Sequence, residues 1–231
     1  MGLSPDLMFS EADLTALVLT FKLALITTLI LLLVCTPVAW WLAYSRWRFK
    51  YIVEAIVALP LILPPTVLGF YLLLAMGVHG PLGQLMLALD LTPLAFSFTG
   101  VVIGSVFYSL PFVVQPLKNA FMSVGRRPLE VAATLGATPF ERFWRVALPM
   151  AKPGFITASV LGFAHTVGEF GVVLMIGGNI SGQTQVVSIS IYEHVEALEY
   201  GQAHTLSAIL LVMSFVLLLA VHGANRPVRV V

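Results

Sequence analysis

The chain has 231 residues, of which 59% are hydrophobic and only 10% charged, and its mean hydropathy is +0.98. Soluble domains are about 45–50% apolar and about a quarter charged, so this composition excludes an ordinary soluble domain and a disordered chain. Twelve Lys/Arg against eleven Asp/Glu leave a net charge of +1, too little basic field to hold nucleic acid; what remains is a polytopic membrane protein with room for roughly five to seven spans.

The first apolar stretch runs from about Leu14 to Tyr44. At 1.5 Å per residue it is about 46 Å long, so it must tilt or protrude from a hydrocarbon core of about 30 Å. Asp6, Glu11 and Asp13 precede or open it, and no Lys or Arg comes before Lys22. That is the wrong charge for a signal-peptide n-region, so the first helix is expected to stay in the mature protein. The single cysteine, Cys35, lies inside this stretch and reads as a small buried apolar residue.

The second stretch, about Ile52 to Met76, contains Leu59-Pro60-Leu61-Ile62-Leu63-Pro64-Pro65. Prolines at this density remove helix hydrogen bonds and force a kink or an unwound turn. Such backbone must be re-satisfied by protein or water, so Pro64 and Pro65 are expected at the bundle interior or a cavity, as candidate functional residues. The third stretch, about Phe98 to Leu117, opens with Gly100 and Gly104, a small-residue face that permits close helix approach. Gln115 and Lys118 end it, and Lys118 is expected to reach toward headgroups.

The fourth stretch, about Gly154 to Ile176, carries His165 and Gly168-Glu169-Phe170-Gly171. An ionisable group inside a span is a functional candidate by default. Glu169 is expected to accept backbone or side-chain hydrogen bonds, with Gly168 and Gly171 loosening the helix beside it. The fifth stretch runs from about Thr205 to His222.

The basic residues orient these spans. Arg46, Arg48 and Lys50 follow the first, Lys118, Arg126, Arg127, Arg142, Arg145 and Lys152 lie between the third and fourth, and Arg226 and Arg229 follow the fifth. In a five-span arrangement all of these share one side, and only Lys22 falls elsewhere. The positive-inside rule then places the N-terminus outside and the C-terminus inside. With no internal repeat or low-complexity linker, residues 1–231 read as a single membrane domain with spans at about 14–44, 52–76, 98–117, 154–176 and 205–222.

Residues 118–152 form the one substantial inner loop. Pro128 suits a first helical position and Gly136 a C-terminal stop, which predicts a short helix over Leu129–Leu135. Thr138-Pro139-Phe140-Glu141 matches a capping box. It predicts a second helix to about Ala147, ending before Leu148-Pro149, with Phe140, Phe143, Trp144 and Ala147 along one stripe.

Glu130-Val131-Ala132, three residues, Gly136, nine residues, then Val146-Ala147-Leu148-Pro149 resembles the "EAA" loop of ABC-importer permeases. Every spacing agrees; Val131 replaces the middle alanine and Val146 an isoleucine. The resemblance implies that Glu130, Val131, Ala132, Gly136, Ala137, Phe143, Val146, Leu148 and Pro149 belong to a loop that docks on a cytoplasmic ATPase. Physically, a soluble motor needs a rigid, helix-built lever at the membrane face, and glycine permits the sharp turn within it. Segments Leu59–Gly69, Ser109-Leu110-Pro111-Phe112, Glu130–Pro149 and Gly168–Gly171 further resemble molybdate permeases, and sulfate and tungstate permeases share much of the pattern.

What the resemblance implies is an all-α, MetI-like permease fold of about five transmembrane helices. It implies a homodimer in the inner membrane with an oxyanion path between the copies, two ABC ATPase subunits, and a periplasmic or lipid-anchored oxyanion-binding protein. It implies no cofactor on this chain, ATP and Mg being used by the partner. An acid lining a dianion path would repel the substrate, which favours a structural or gate-packing role for Glu169. No P-loop is present, so any ATPase must be a separate chain.

Two other readings use different residues. Ser105 and His165 could form a nucleophile–base pair of an intramembrane hydrolase, although no G-x-S-x-G accompanies them. Glu193, His194, Glu196, Glu199 and His204 could bind a divalent ion in the last outer loop, with the three glutamates on one face of a short helix; the solvated face of a surface helix is the commoner outcome.

Overall fold

The computed structural model describes residues 10–224, so Asp6, Arg226 and Arg229 lie outside the described residues. Among them every regular element is helical. In order these are α1 (Glu11–Tyr44), α2 (Lys50–Ala58), α3 (Pro65–Met76), α4 (Pro81–Ala88), α5 (Phe98–Val124), α6 (Arg127–Thr134), α7 (Pro139–Arg142), α8 (Leu148–Met150), α9 (Lys152–Val167), α10 (Gly171–Gly177), α11 (Val187–Glu196) and α12 (Tyr200–Ala224). Four described helices are long and apolar enough to cross a membrane, or up to five if the bent pair Pro139–Met150 and Lys152–Val167 counts as one span.

Two expected spans are broken where their sequences forbid continuous helix. The second is interrupted by a 3-10 turn at Leu59–Leu61, and helix resumes only at Pro65, where proline occupies a first-turn position that needs no N–H donor. The apolar crossing in this region runs on from α3 through α4, over Pro65–Ala88, instead of ending at Met76. The fourth is interrupted between Val167 and Gly171, which separates α9 from α10. In contrast, α5 continues to Val124, so Lys118 to Ser123 are helical and not loop.

α1, α5 and α9 pack together as the centre of the bundle. Their core holds Leu31, Cys35, Leu42, Val113, Leu117, Phe121 and Ala158, all almost wholly buried. Glycines set the close approaches. A Cβ on Gly162 of α9 would stand 2.6 Å from Val113 Cγ2 of α5, and one on Gly154 would stand 2.1 Å from Ala120 Cβ. The small-residue face at the start of α5 serves α10: a Cβ on Gly104 would meet Ile176 Cδ1 at 2.5 Å, whereas one on Gly100 would strike the Leu94 carbonyl at 2.0 Å. Lys118 does not reach free toward headgroups. Its Nζ donates to Glu54 Oε1 at 2.7 Å and ties α2 to α5.

Candidate functional site

The loop between α5 and α9 is built from short helices. Gly125 (φ +70°) ends α5, and α6 begins with Pro128 in its first turn. After α6, Gly136 takes φ +86°, a left-handed conformation that costs an L-residue roughly 1–2 kcal/mol and glycine almost nothing. The Ala137 N–H then donates to the Ala132 carbonyl at 3.0 Å and closes the turn. The Thr138 hydroxyl accepts from the Glu141 N–H, and the Thr138 N–H and hydroxyl donate to Glu141 Oε2, at 3.3, 3.0 and 3.1 Å. These bonds, the backbone one first, hold the Glu141 carboxyl below its usual range.

The second helix of the loop does not end before Leu148-Pro149. It becomes a π-helical segment over Phe143–Ala147 and runs on to Met150. Pro149 has no N–H to give, and the Leu148 N–H reaches back five residues to the Phe143 carbonyl. This register change divides the expected apolar stripe. Ala147 is buried and Phe143 half-buried, its ring edge-on to Trp40 of α1 (centroids 5.1 Å, 82°) and 6.2 Å from Phe121 of α5. Phe140 and Trp144 point outward, 71% and 51% exposed. With Val131 and Leu135 they give the loop an exposed apolar tip. Among the other motif residues, Glu130 and Pro149 are exposed, Ala132, Ala137 and Leu148 are half-buried, and Val146 packs on the core.

Four of the five gate candidates come together. Pro65, Gly168, Glu169 and Gly171 line one cavity of about 510 Å³ with Thr66, Tyr108 and His165, while Pro64 caps α3 beside it. A Cβ on Gly171 would lie 2.9 Å from Pro65 Cβ, so the two helix breaks touch. Glu169 is 3% exposed. The Ser105 hydroxyl lies beside its carboxyl, the side-chain partner that the sequence expectation asks for, but neither group makes a hydrogen bond of ordinary distance and angle. The polar groups of this layer are committed elsewhere, since Ser109 Oγ meets His165 Nδ1 at 2.9 Å and Thr166 Oγ1 at 3.0 Å. His165 is therefore paired with Ser109 and stacked on Phe112, not with Ser105. Among the described residues no carboxylate hydrogen-bonds the imidazole as the orienting member of a hydrolytic triad would.

A larger open hollow of about 690 Å³ lies between α5 and α9. Gln115, Asn119 and Ser123 line it from α5 at four-residue spacing, and Thr157 lines it from α9. Among the described residues no charged one lines it. The sequence showed Gln115 only as the end of a span; its place on a polar stripe emerges once α5 is seen to continue to Val124.

At the opposite end of α1 a second polar cluster went unread. The His194 ring lies between two carboxylates, with Nε2 3.0 Å from Asp13 Oδ1 and Nδ1 2.9 Å from Glu199 Oε2. Ser10 and Ser190 also donate to Asp13. On the other side of α11, Ser188 Oγ donates to the Glu169 carbonyl at 2.6 Å and Tyr192 packs on Phe170. α11 thus holds α1 with one face and the α9–α10 break with the other. The supposed metal cluster is dispersed. Glu193 accepts from Asn179 and Gln185, Glu196 from Tyr192, and α11 stops at Glu196, before Glu199. Among the described residues no three such groups converge on a metal position.

A bundle of interrupted apolar helices, carrying a stiff helix–glycine–helix loop beyond one end, is the architecture of an importer permease. Residues 35–226 match the family described as binding-protein-dependent transport system inner membrane component, and the chain belongs to that family. It is 60% identical over 217 residues to the molybdenum transport system permease protein ModB of Azotobacter vinelandii, covering 94% of this chain and 96% of that protein. It is 36% identical to the sulfate transport system permease protein CysT of Synechocystis, covering 88% and 71%. Its fold matches a bacterial alginate ABC transporter solved with an alginate-bound periplasmic protein (TM-score 0.76, 18% identity, 97% and 82% covered). It also matches the MetNI methionine ABC transporter (0.69, 18%, 94% and 100%).

Proposed function

We propose that this chain is the membrane-spanning subunit of an ATP-driven importer of molybdate, working as a homodimer in the inner membrane with two cytoplasmic ABC ATPases and an oxyanion-binding protein outside. The loop geometry carries the mechanism. Its two short helices are locked by Gly136 and the Thr138–Glu141 box, its tip exposes Val131, Leu135, Phe140 and Trp144, and its base is fixed by Phe143 against α1 and α5. A motor that grips the tip moves the base as one body. By the positive-inside rule, the distribution of basic residues supports this loop inside and the His194 cluster outside.

Substrate passes between the two copies, along the stripe of Gln115, Asn119 and Ser123. A tetrahedral dianion offers only acceptors, so neutral amide and hydroxyl donors attract it without holding it, as conduction requires. The Pro65–Gly171 contact and the cavity behind it form the gate, which Glu169 packs and the substrate does not touch. ATP and Mg are used by the partner, and this chain contributes no catalytic group.

Similarity to the sulfate permease keeps sulfate as a second reading. Uptake of labelled molybdate at nanomolar concentration, in cells lacking the gene and in cells with it restored, separates them. Restored uptake blocked by tungstate but not by excess sulfate supports the proposal; unchanged molybdate uptake refutes it.

A further inference from the structure

Where α1 meets the loop there is a hollow of about 330 Å³ that the transport reading does not use. Its wall is made by three elements: Tyr44 and Arg46 at the end of α1, Arg126 and Glu130 from the start of α6, and Arg142 from α7. The guanidiniums of Arg46, Arg126 and Arg142 make no ion pair with any described carboxylate, whereas nearby Lys118 and Arg145 are paired with Glu54 and Glu141. Arg126 donates to the Tyr44 carbonyl at 3.1 Å, and the Nε of Arg142 is buried with no hydrogen-bond partner. Glu130 is the one acid lining the hollow, so it carries a net charge of about +2. A buried guanidinium nitrogen without an acceptor is costly, and a convergent set of three is the usual receptor for a tetrahedral oxyanion.

The depth of the hollow indicates where that oxyanion comes from. Trp41 and Trp47, 40% and 50% exposed, flank the end of α1 with Tyr51 beyond them. Exposed aromatic rings of this kind mark the level of the lipid headgroups. Basic pockets beside spanning helices on the cytoplasmic side take anionic headgroups.

We propose that the Arg46–Arg126–Arg142 hollow binds the phosphate of an anionic phospholipid and so pins the coupling loop to the end of α1. The bound phosphate bridges the membrane helix to both halves of the lever, next to Glu130. Anionic lipid therefore stiffens the connection through which the motor acts, and its removal slackens that connection without touching the transport path. This inference rests on the reading that the loop end faces the cytoplasm.

The test uses the whole transporter, permease with its ATPase, in liposomes of neutral lipid alone or with about one fifth phosphatidylglycerol or cardiolipin. Molybdate transported per ATP is measured with excess loaded binding protein, and retained lipid is counted by native mass spectrometry. Wild type should couple better in the anionic liposomes and retain headgroups. Arg142→Gln and Arg46→Gln should each lower retention about fivefold and flatten the lipid response. Arg48→Gln, the same charge change two residues outside the hollow, should behave as wild type, and Arg46, exposed between helices, is a variant that leaves folding intact. A third arm adds inorganic phosphate to neutral liposomes.

Equal lipid responses in wild type and both hollow variants would overturn the proposal. So would a response to free phosphate with none to anionic lipid, which gives the hollow to a soluble anion. Loss of ATPase co-purification in the hollow variants, in neutral and anionic lipid alike, would give the arginines to the motor interface and also overturn it. Wild type failing to carry molybdate in every lipid would strike the transport reading, while retention counts would still decide the lipid site.

Discussion

Replacing Phe143 by alanine should disconnect the motor from the gate while leaving both intact. Complete burial makes Phe→Ala cost about 3–5 kcal/mol, and Phe143 is half-buried, so about 2 kcal/mol of packing is lost. That loss is concentrated on the edge-on contact with Trp40 at 5.1 Å and the contact with Phe121 at 6.2 Å, the aromatic ties from the loop to α1 and α5 beside the packing of Leu129, Val146 and Ala147 on the same core. Aromatic pairs of this geometry contribute about 0.5–1.5 kcal/mol beyond burial. About 2 kcal/mol corresponds to a roughly thirtyfold weaker connection between loop and bundle. The assay is molybdate moved per ATP hydrolysed by the reconstituted complex. Phe143→Ala should keep its basal ATPase and lose at least about tenfold in transport per ATP, in proportion to that weakening. Phe143→Leu, which keeps most of the volume, should lose much less. Phe140→Ala should instead weaken ATPase binding, because Phe140 is 71% exposed and its one ring contact is with Trp144. Wild-type coupling in Phe143→Ala would refute the idea that the loop works through this joint.

Other outcomes follow from single observations. Gly136→Pro cannot take the φ of +86° at that turn, so it should abolish ATPase co-purification or uncouple hydrolysis from uptake. Gly104→Leu should lower the melting temperature in detergent, by overpacking worth about 1–3 kcal/mol, because even its Cβ would stand 2.5 Å from Ile176. Glu169→Gln should leave uptake intact and hold or raise the melting temperature, since a neutral amide is cheaper to bury than a carboxylate and keeps an acceptor beside Ser105; lost uptake would show that the acid acts in the path. Stability should also depend on pH through His194. Burial opposes its charge, but the hydrogen bonds to Asp13 and Glu199 prevail and raise its pKa above 6.5. A raised pKa gives stability that is full below about pH 6.5 and lost as pH climbs through the raised value. The melting temperature should therefore fall as the pH rises above about 6.5 in wild type and stay flat in His194→Gln.

Much of this molecule was legible because membrane chemistry leaves few options. A long apolar run must be helix, and clustered prolines must break it, so an interruption within Leu59–Pro65 was readable. The loop was legible for another reason: Gly136 and the Thr138–Glu141 box are local devices that act within four residues. The failures lie where the outcome depends on distant partners. The end of α5 was placed at Leu117 because Lys118 looked like a boundary, but Glu54, 64 positions earlier in the chain, receives its charge and lets the helix continue. The π-helical segment stayed hidden because a 3.6-residue period cannot express a change of register. The clasp of Asp13 on His194 spans 181 positions, and no local pattern announces it.

The interruption between α9 and α10 also bears on how the chain enters the membrane. At 1.5 Å per residue α9 is about 24 Å long and α10 about 10 Å, so neither alone crosses a core of about 30 Å. Each leaves the insertion machinery as a segment too short to settle in lipid unaided. α1 and α5 emerge earlier, and α5 presents Val113, Ala120 and Ile103 as a ready surface for the later pair. Biogenesis is therefore ordered, with the first helices acting as an intramolecular template for the last. A substitution that weakens the α5 face should appear first as quality-control proteolysis of half-inserted chains, before any defect in transport can be observed.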